Sequence, residues 1–103
     1  MKTIFCEKLG GRFTERDLKL RRVHSVKLGD TVTVAPVDTV ARNCWGVTGT
    51  VQLIEERTNT WGDYRKPKRQ TFTVYFVRFD EPIERGSSSK LAGLYLAIES
   101  LIH

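Results

Sequence analysis

The run "QTFTVYFVRF" at 70–79 constrains this chain more than any other stretch, because it reads as a strand that is apolar on both faces. Successive side chains of a strand point to opposite sides. Tyr75, Val77 and Phe79 therefore line one face, and Phe72, Val74 and Phe76 the other. A small barrel has room inside for one such row. The second row needs a cover or a partner, since a contiguous exposed aromatic row is costly or functional. Two solutions are open. Either the N-terminal segment folds back over it with "TIF" at 3–5, Phe13, Leu18, Leu20 and Val23, or the row is a stacking platform for unpaired bases, worth roughly 1–3 kcal/mol per base.

Period-two alternation recurs through the rest of the chain. "TVTV" at 31–34 sets Val32 and Val34 on one face, and "VTGTVQLIEE" sets Val47, Gly49, Val51 and Leu53 against Thr48, Thr50 and Gln52. Strands are expected at 31–35, 47–56, 70–79 and 93–97, followed by a helical turn at 97–99 and a short closing strand near 100–102. Turn signals separate them at Gly29-Asp30, Asn43, Gly46, Gly49, Gly62-Asp63 and the loop "RGSSSK" at 85–90. A short helix within 12–22 is expected from the capping-box-like "TERD" at 14–17. Short strands with no strong long helix imply a mainly β fold, a small barrel of about five strands closed so that few edges stay unpaired.

The chain of 103 residues is long enough for one core, with residues 1–26 a basic N-terminal extension of the same unit and 27–103 the barrel domain. Nothing approaches the roughly 18 apolar residues of a membrane span. The apolar run in "MKTIFCEKLGG" stops at Glu7, too soon for a signal peptide, so a soluble cytoplasmic protein is expected. In that compartment Cys6 and Cys44 are expected to be reduced, partly buried thiols. Together with His24 and His103 they are scattered singly, without metal-ligand spacing, and neither metal nor cofactor is expected.

Charge is concentrated in two segments. Residues 7–27 carry seven cations and three anions, and residues 57–70 carry five cations and one anion; the remainder is net negative. A field localised in this way attracts an anionic macromolecule, nucleic acid or an acidic protein. The candidate contact residues are Arg57, Trp61, Tyr64, Arg65, Lys66, Lys68 and Arg69 in the hairpin, and Arg12, Arg16, Lys19, Arg21 and Arg22 in the N-terminal segment. The cations would meet phosphates while Trp61 and Tyr64 stack on bases, although Trp61 serves equally well folded back on its own hairpin. Pro67 lacks a backbone donor, which argues against a regular central strand there and for display of the charges around it.

No catalytic constellation is present. His24 and Ser25 are neighbours in sequence only, and Glu55-Glu56 and Asp80-Glu81 alternate faces at strand ends. "GVTGTV" at 46–51 lacks the Lys of a phosphate-binding loop and leads into a strand, so Gly46 and Gly49 are read as turn and close-approach positions.

"LGDTVTV" at 28–34 followed by Gly46, Gly49 and Val51 resembles the KOW-type pattern, in which a Gly-Asp start leads into a first strand and a G-x-x-G-x-V turn opens the next. Trp45, the Gly49-Thr50-Val51 turn, the strand Tyr75-Phe76-Val77-Arg78-Phe79 and the closing Tyr95-Leu96-Ala97-Ile98-Glu99 are similar to photosystem I reaction-centre subunit IV. The resemblance covers about residues 27–102 and implies an SH3-like barrel. Its two sides imply two functions: a nucleic-acid-binding module, with RNA favoured, or a docking subunit that holds an acidic protein surface.

Overall fold

A computed structural model of the chain describes residues 3–84 and 89–103; of the expected loop at 85–90, residues 85–88 lie outside the described residues. The described chain is mainly β. A hairpin of β1 (Thr3–Cys6) and β2 (Gly11–Thr14) leads into one short helix, α1 (Glu15–Leu20). Five strands follow: β3 (Thr31–Val34), β4 (Thr48–Trp61), β5 (Lys68–Glu84), β6 (Lys90–Leu96) and β7 (Leu101–Ile102). They form one antiparallel sheet in the order β6-β5-β4-β3-β7, a four-strand meander whose last short strand returns beside the first. A 3-10 turn at Ile98–Ser100 precedes β7, one residue beyond the expected helical turn. No helix among the described residues is long and apolar enough to cross a membrane.

The helix begins where the capping pattern places it. Asp17 N–H donates to Thr14 Oγ1 at 3.2 Å, and Thr14 N–H donates to Asp17 Oδ2 at 2.9 Å. Asp therefore completes the box in place of Glu or Gln. The Thr14 backbone N–H, and then its hydroxyl, hold the Asp17 carboxyl below its ordinary value. A carboxyl shifted in this direction supports the helix at neutral pH and loses that effect as pH falls through its lowered pKa. Thr14→Ala is expected to lower stability by about 1 kcal/mol in urea unfolding at pH 7. The gap to the parent should narrow in acid as Asp17 protonates.

One row of the meander forms the core. Val32, Val34, Val51, Val77, Phe79, Leu96 and Leu101 pack with Val23, Val40 and Cys44, and Trp45, Tyr75 and Leu94 lean on them. Each fully buried Val or Leu contributes roughly 1.5–3 kcal/mol over its exposed state. Trp45 fastens the segment between β3 and β4, its indole N–H donating to the carbonyls of Val37 at 3.1 Å and Val40 at 3.0 Å. Gly49 lies so close to β5 that a Cβ there would meet Arg78 O at 2.5 Å and Val77 Cγ1 at 2.7 Å.

Three expectations change. First, the sheet is open, not closed into a barrel: β6 and β7 are its two edges. The reason is local. The outer side of β7 is already occupied by the N-terminal segment, through a bridge between Arg22 and Ile102, Val23 N–H donating to Leu101 O, and His103 N–H donating to Arg21 O. An edge paired in this way has no ladder left for β6. Second, the N-terminal segment meets this edge and the turn before β4, where Cys6 and Lys8 abut Gly46 and Lys8 Nζ donates to Asn43 O; Phe5 and Leu20, offered as cover for the aromatic row, are exposed. Third, the alternation of 47–56 breaks at Gln52. A bulge between Val51 and Leu53 keeps Val51 opposite Val77 in the core but sets Leu53 opposite Phe76 on the outer face, with Ile54 opposite Tyr75.

Candidate functional site

The basic hairpin is strand for most of its length. β4 and β5 remain paired through Arg57–Phe72, Thr58–Thr71, Asn59–Gln70 and Thr60–Arg69 to Trp61–Lys68, leaving only residues 62–67 as the turn. β6 stops pairing at Leu96–Tyr75, and β3 at Thr31–Thr50. Past those points β4 and β5 continue alone as a two-stranded arm. Four residue steps separate Arg57 from Trp61, about 14 Å at strand rise. The molecule is correspondingly elongated, with extents of 50 × 38 × 29 Å and a radius of gyration of 15.5 Å, against about 13 Å for a compact chain of this length.

At the tip, Gly62 takes a left-handed φ of 96°. Asp63 shapes the turn by accepting from Arg65 N–H at 3.1 Å through its carboxylate and from Lys66 N–H at 3.0 Å through its carbonyl. Tyr64 is 86% exposed, with the Arg65 guanidinium 5.8 Å from its ring centre. Trp61 is 48% exposed on the last pair of the arm, so about half of its surface is open to solvent. Among the described residues the one ion pair is Arg57 Nη2 to Glu55 Oε2 at 3.4 Å. Arg65, Lys66, Lys68 and Arg69 are exposed and have no carboxylate partner among them. Lys68 and Arg69 also blunt the arm's open edges, as strand-edge cations commonly do.

The second cluster, equal in sequence charge, is displayed differently. Arg12 stands on β2 opposite Phe5, and Arg16 and Lys19 lie on α1. Arg21 Nη2 donates to His103 O at 2.9 Å and its guanidinium lies 5.8 Å from the Phe13 ring centre. Lys19 and Arg22 line one groove with Glu15 of α1 and with Asp38 and Glu99 from distant parts of the chain, none of them within ion-pair distance among the described residues. Among the described residues no hydrogen bond, ion pair or ring contact joins this cluster to the arm.

Arg57 belongs to neither display. Its guanidinium sits 4.4 Å from the ring centre of Tyr95 on β6, and Tyr95 in turn packs on Phe76 with ring centres 4.9 Å apart. Arg57 pairs with Phe72 and Tyr95 pairs with Phe76, so their contact passes over Val74, which is buried while its row-mates Phe72 and Phe76 are half-buried. An Arg–Tyr contact, and not the N-terminal segment, thus spans the aromatic row at Val74, leaving Phe72 and Phe76 half-buried on either side. Leu53 and Tyr95 flank it on the outer face, 39% and 44% exposed. Sequence reasoning marked this strand as doubly apolar but did not single out Tyr95 or Leu53 for this face. The bulge and the β6 register place them there, and neither feature has a signature in residue spacing.

No protein-family model, no curated protein and no solved structure matches the chain.

Proposed function

We propose that the chain is a non-catalytic binding module of the SH3-like type that recognises RNA through the β4–β5 arm, with the N-terminal cations as auxiliary contacts. The observation that carries this reading is the arm itself: four cations without carboxylate partners among the described residues, beside a half-exposed Trp and an exposed Tyr, on a projecting ribbon. Support for the SH3-like type comes from the meander order, with its fifth strand returning beside the first after a 3-10 turn. Phosphates would meet Arg65, Lys66, Lys68 and Arg69, and bases would stack on Trp61 and Tyr64.

Fluorescence anisotropy with a labelled single-stranded RNA over a salt series tests this. Binding should weaken along a straight line of log affinity against log salt, with a slope near −2.8 if four phosphates are contacted. Trp61→Ala and Tyr64→Ala should each lower affinity by roughly 5- to 100-fold. Equal or tighter binding of a polyglutamate peptide, insensitive to those two substitutions, would instead support docking to an acidic protein surface and end the RNA reading.

A further inference from the structure

We infer that the ligand is engaged as a single strand laid along the outer face of β4, β5 and β6, with its bases on the Tyr95–Arg57–Phe72–Trp61 row and its phosphates toward the arm. The inference rests on the RNA reading above and adds both the strandedness of the ligand and a second set of contact residues.

Register brings these groups to one face. Directly opposed residues of antiparallel strands share a face. Arg57 with Phe72, Leu53 with Phe76 and Trp61 with Lys68 are such pairs, each an even number of positions from the next along β5, and Tyr95 is the β6 partner of Phe76. The outer face therefore runs from Tyr95 and Phe76 through Phe72 and Arg57 to Trp61 and Lys68. Thr60 and Arg69 point to the opposite face. One carboxylate, Glu55, lies within the row, and its charge is taken up by Arg57.

Charge and shape together select the occupant. A peptide acid needs cations only, whereas this face carries four aromatic rings, Tyr95, Phe76, Phe72 and Trp61, with the cation Lys68 at its arm end, and a single strand offers both bases and phosphates. Tyr95 and Arg57 are both partly exposed although in contact, and a guanidinium held on a ring offers a further planar surface to a base. A duplex keeps its bases stacked inside and would present phosphates alone, leaving the aromatic row without a partner.

The test compares neighbouring substitutions. Leu53→Asp and Ile54→Asp make the same charge change at adjacent positions of almost equal exposure, 39% and 38%, but on opposite faces. With labelled single-stranded RNA, Leu53→Asp is expected to lose at least about tenfold in affinity and Ile54→Asp only a fraction of that. Tyr95→Ala is expected to lose roughly 5- to 100-fold, with Tyr95→Phe close to the parent, and an RNA duplex of the same sequence should bind at least about tenfold more weakly than the single strand. Thermal melts of each variant confirm that it is folded at the assay temperature. Ultraviolet crosslinking of the unmodified chain, which needs no variant, should map to Tyr95, Phe72 or Trp61. Equal losses at 53 and 54, no loss at Tyr95→Ala, or equal affinity for duplex would overturn the inference while the arm reading stands, provided the arm cations still govern binding. Absence of any RNA binding by the unmodified chain overturns both.

Discussion

Gly49→Ala is expected to lower stability by about 3 kcal/mol, reducing the thermal midpoint by roughly 12–24 °C. The backbone is not the difficulty, since Gly49 is not among the glycines with positive φ. Space is. The added methyl would meet Arg78 O at 2.5 Å and Val77 Cγ1 at 2.7 Å. The first of these is backbone on a central strand, and the second belongs to a side chain with no exposed surface. Neither has room to move, because β5 is held on its other side by β6 at Leu94 and Gly93. Relief requires β4 and β5 to separate at the centre of the sheet, where Val51, Val77 and Phe79 meet. Differential scanning calorimetry measures the shift; a midpoint within a few degrees of the parent would mean that the two strands do not approach as closely as described. A domain of this size is stable by only about 5–15 kcal/mol in all, so this single methyl removes a large fraction.

The largest expected effect on binding comes from replacing Arg65, Lys66, Lys68 and Arg69 together by Gln. Counterion release on a single strand contributes about 0.7 to the salt slope for each phosphate contacted. Losing four contacts should flatten the slope by about 2.8 and, at about 0.15 M salt, weaken RNA binding by about two orders of magnitude. Stability should hardly change, within about 0.5 kcal/mol, because these side chains are exposed and without carboxylate partners among the described residues. The contrast lies with Arg12, Arg16, Lys19 and Arg22. The same number of charges removed there should have the smaller effect, since Glu15, Asp38 and Glu99 share the groove that Lys19 and Arg22 line. If the N-terminal quadruple weakens binding as much as the arm quadruple, the arm is not the principal contact.

Much of the fold is legible along the chain. Alternation located β3, β4 and β5, the Thr14 capping box located α1, and the two glycines before Val51 marked a turn and a close approach. These signals are local: each depends on side chains within one turn or one strand. The expected strands stop short of the true ends at 57–61 and 68–69, because Thr58, Asn59, Thr60, Lys68 and Arg69 are polar or charged and resemble loop. They extend the ladder only because each has a partner directly across from it, Thr58 Oγ1 lying 3.4 Å from Thr71 Oγ1.

The candidate site divides in the same way. Composition picked out two basic segments of equal net charge and could not rank them, since a count of charges contains no neighbours. Folding gives them different surroundings, setting Lys19 and Arg22 in a groove with Asp38 and Glu99 and projecting the other segment on a ribbon past the ends of β3 and β6. The sequence alone determined that this chain is mainly β, that one of its strands has two apolar faces, and that its positive charge lies in two short stretches. Only the tertiary structure decided what meets the second apolar face. A one-residue bulge at Gln52 turns Leu53 outward, and the β6 register sets Tyr95 under Arg57. Pairing across strands is a contact between residues far apart in the chain, and a change of one residue in register exchanges the two faces of everything beyond it.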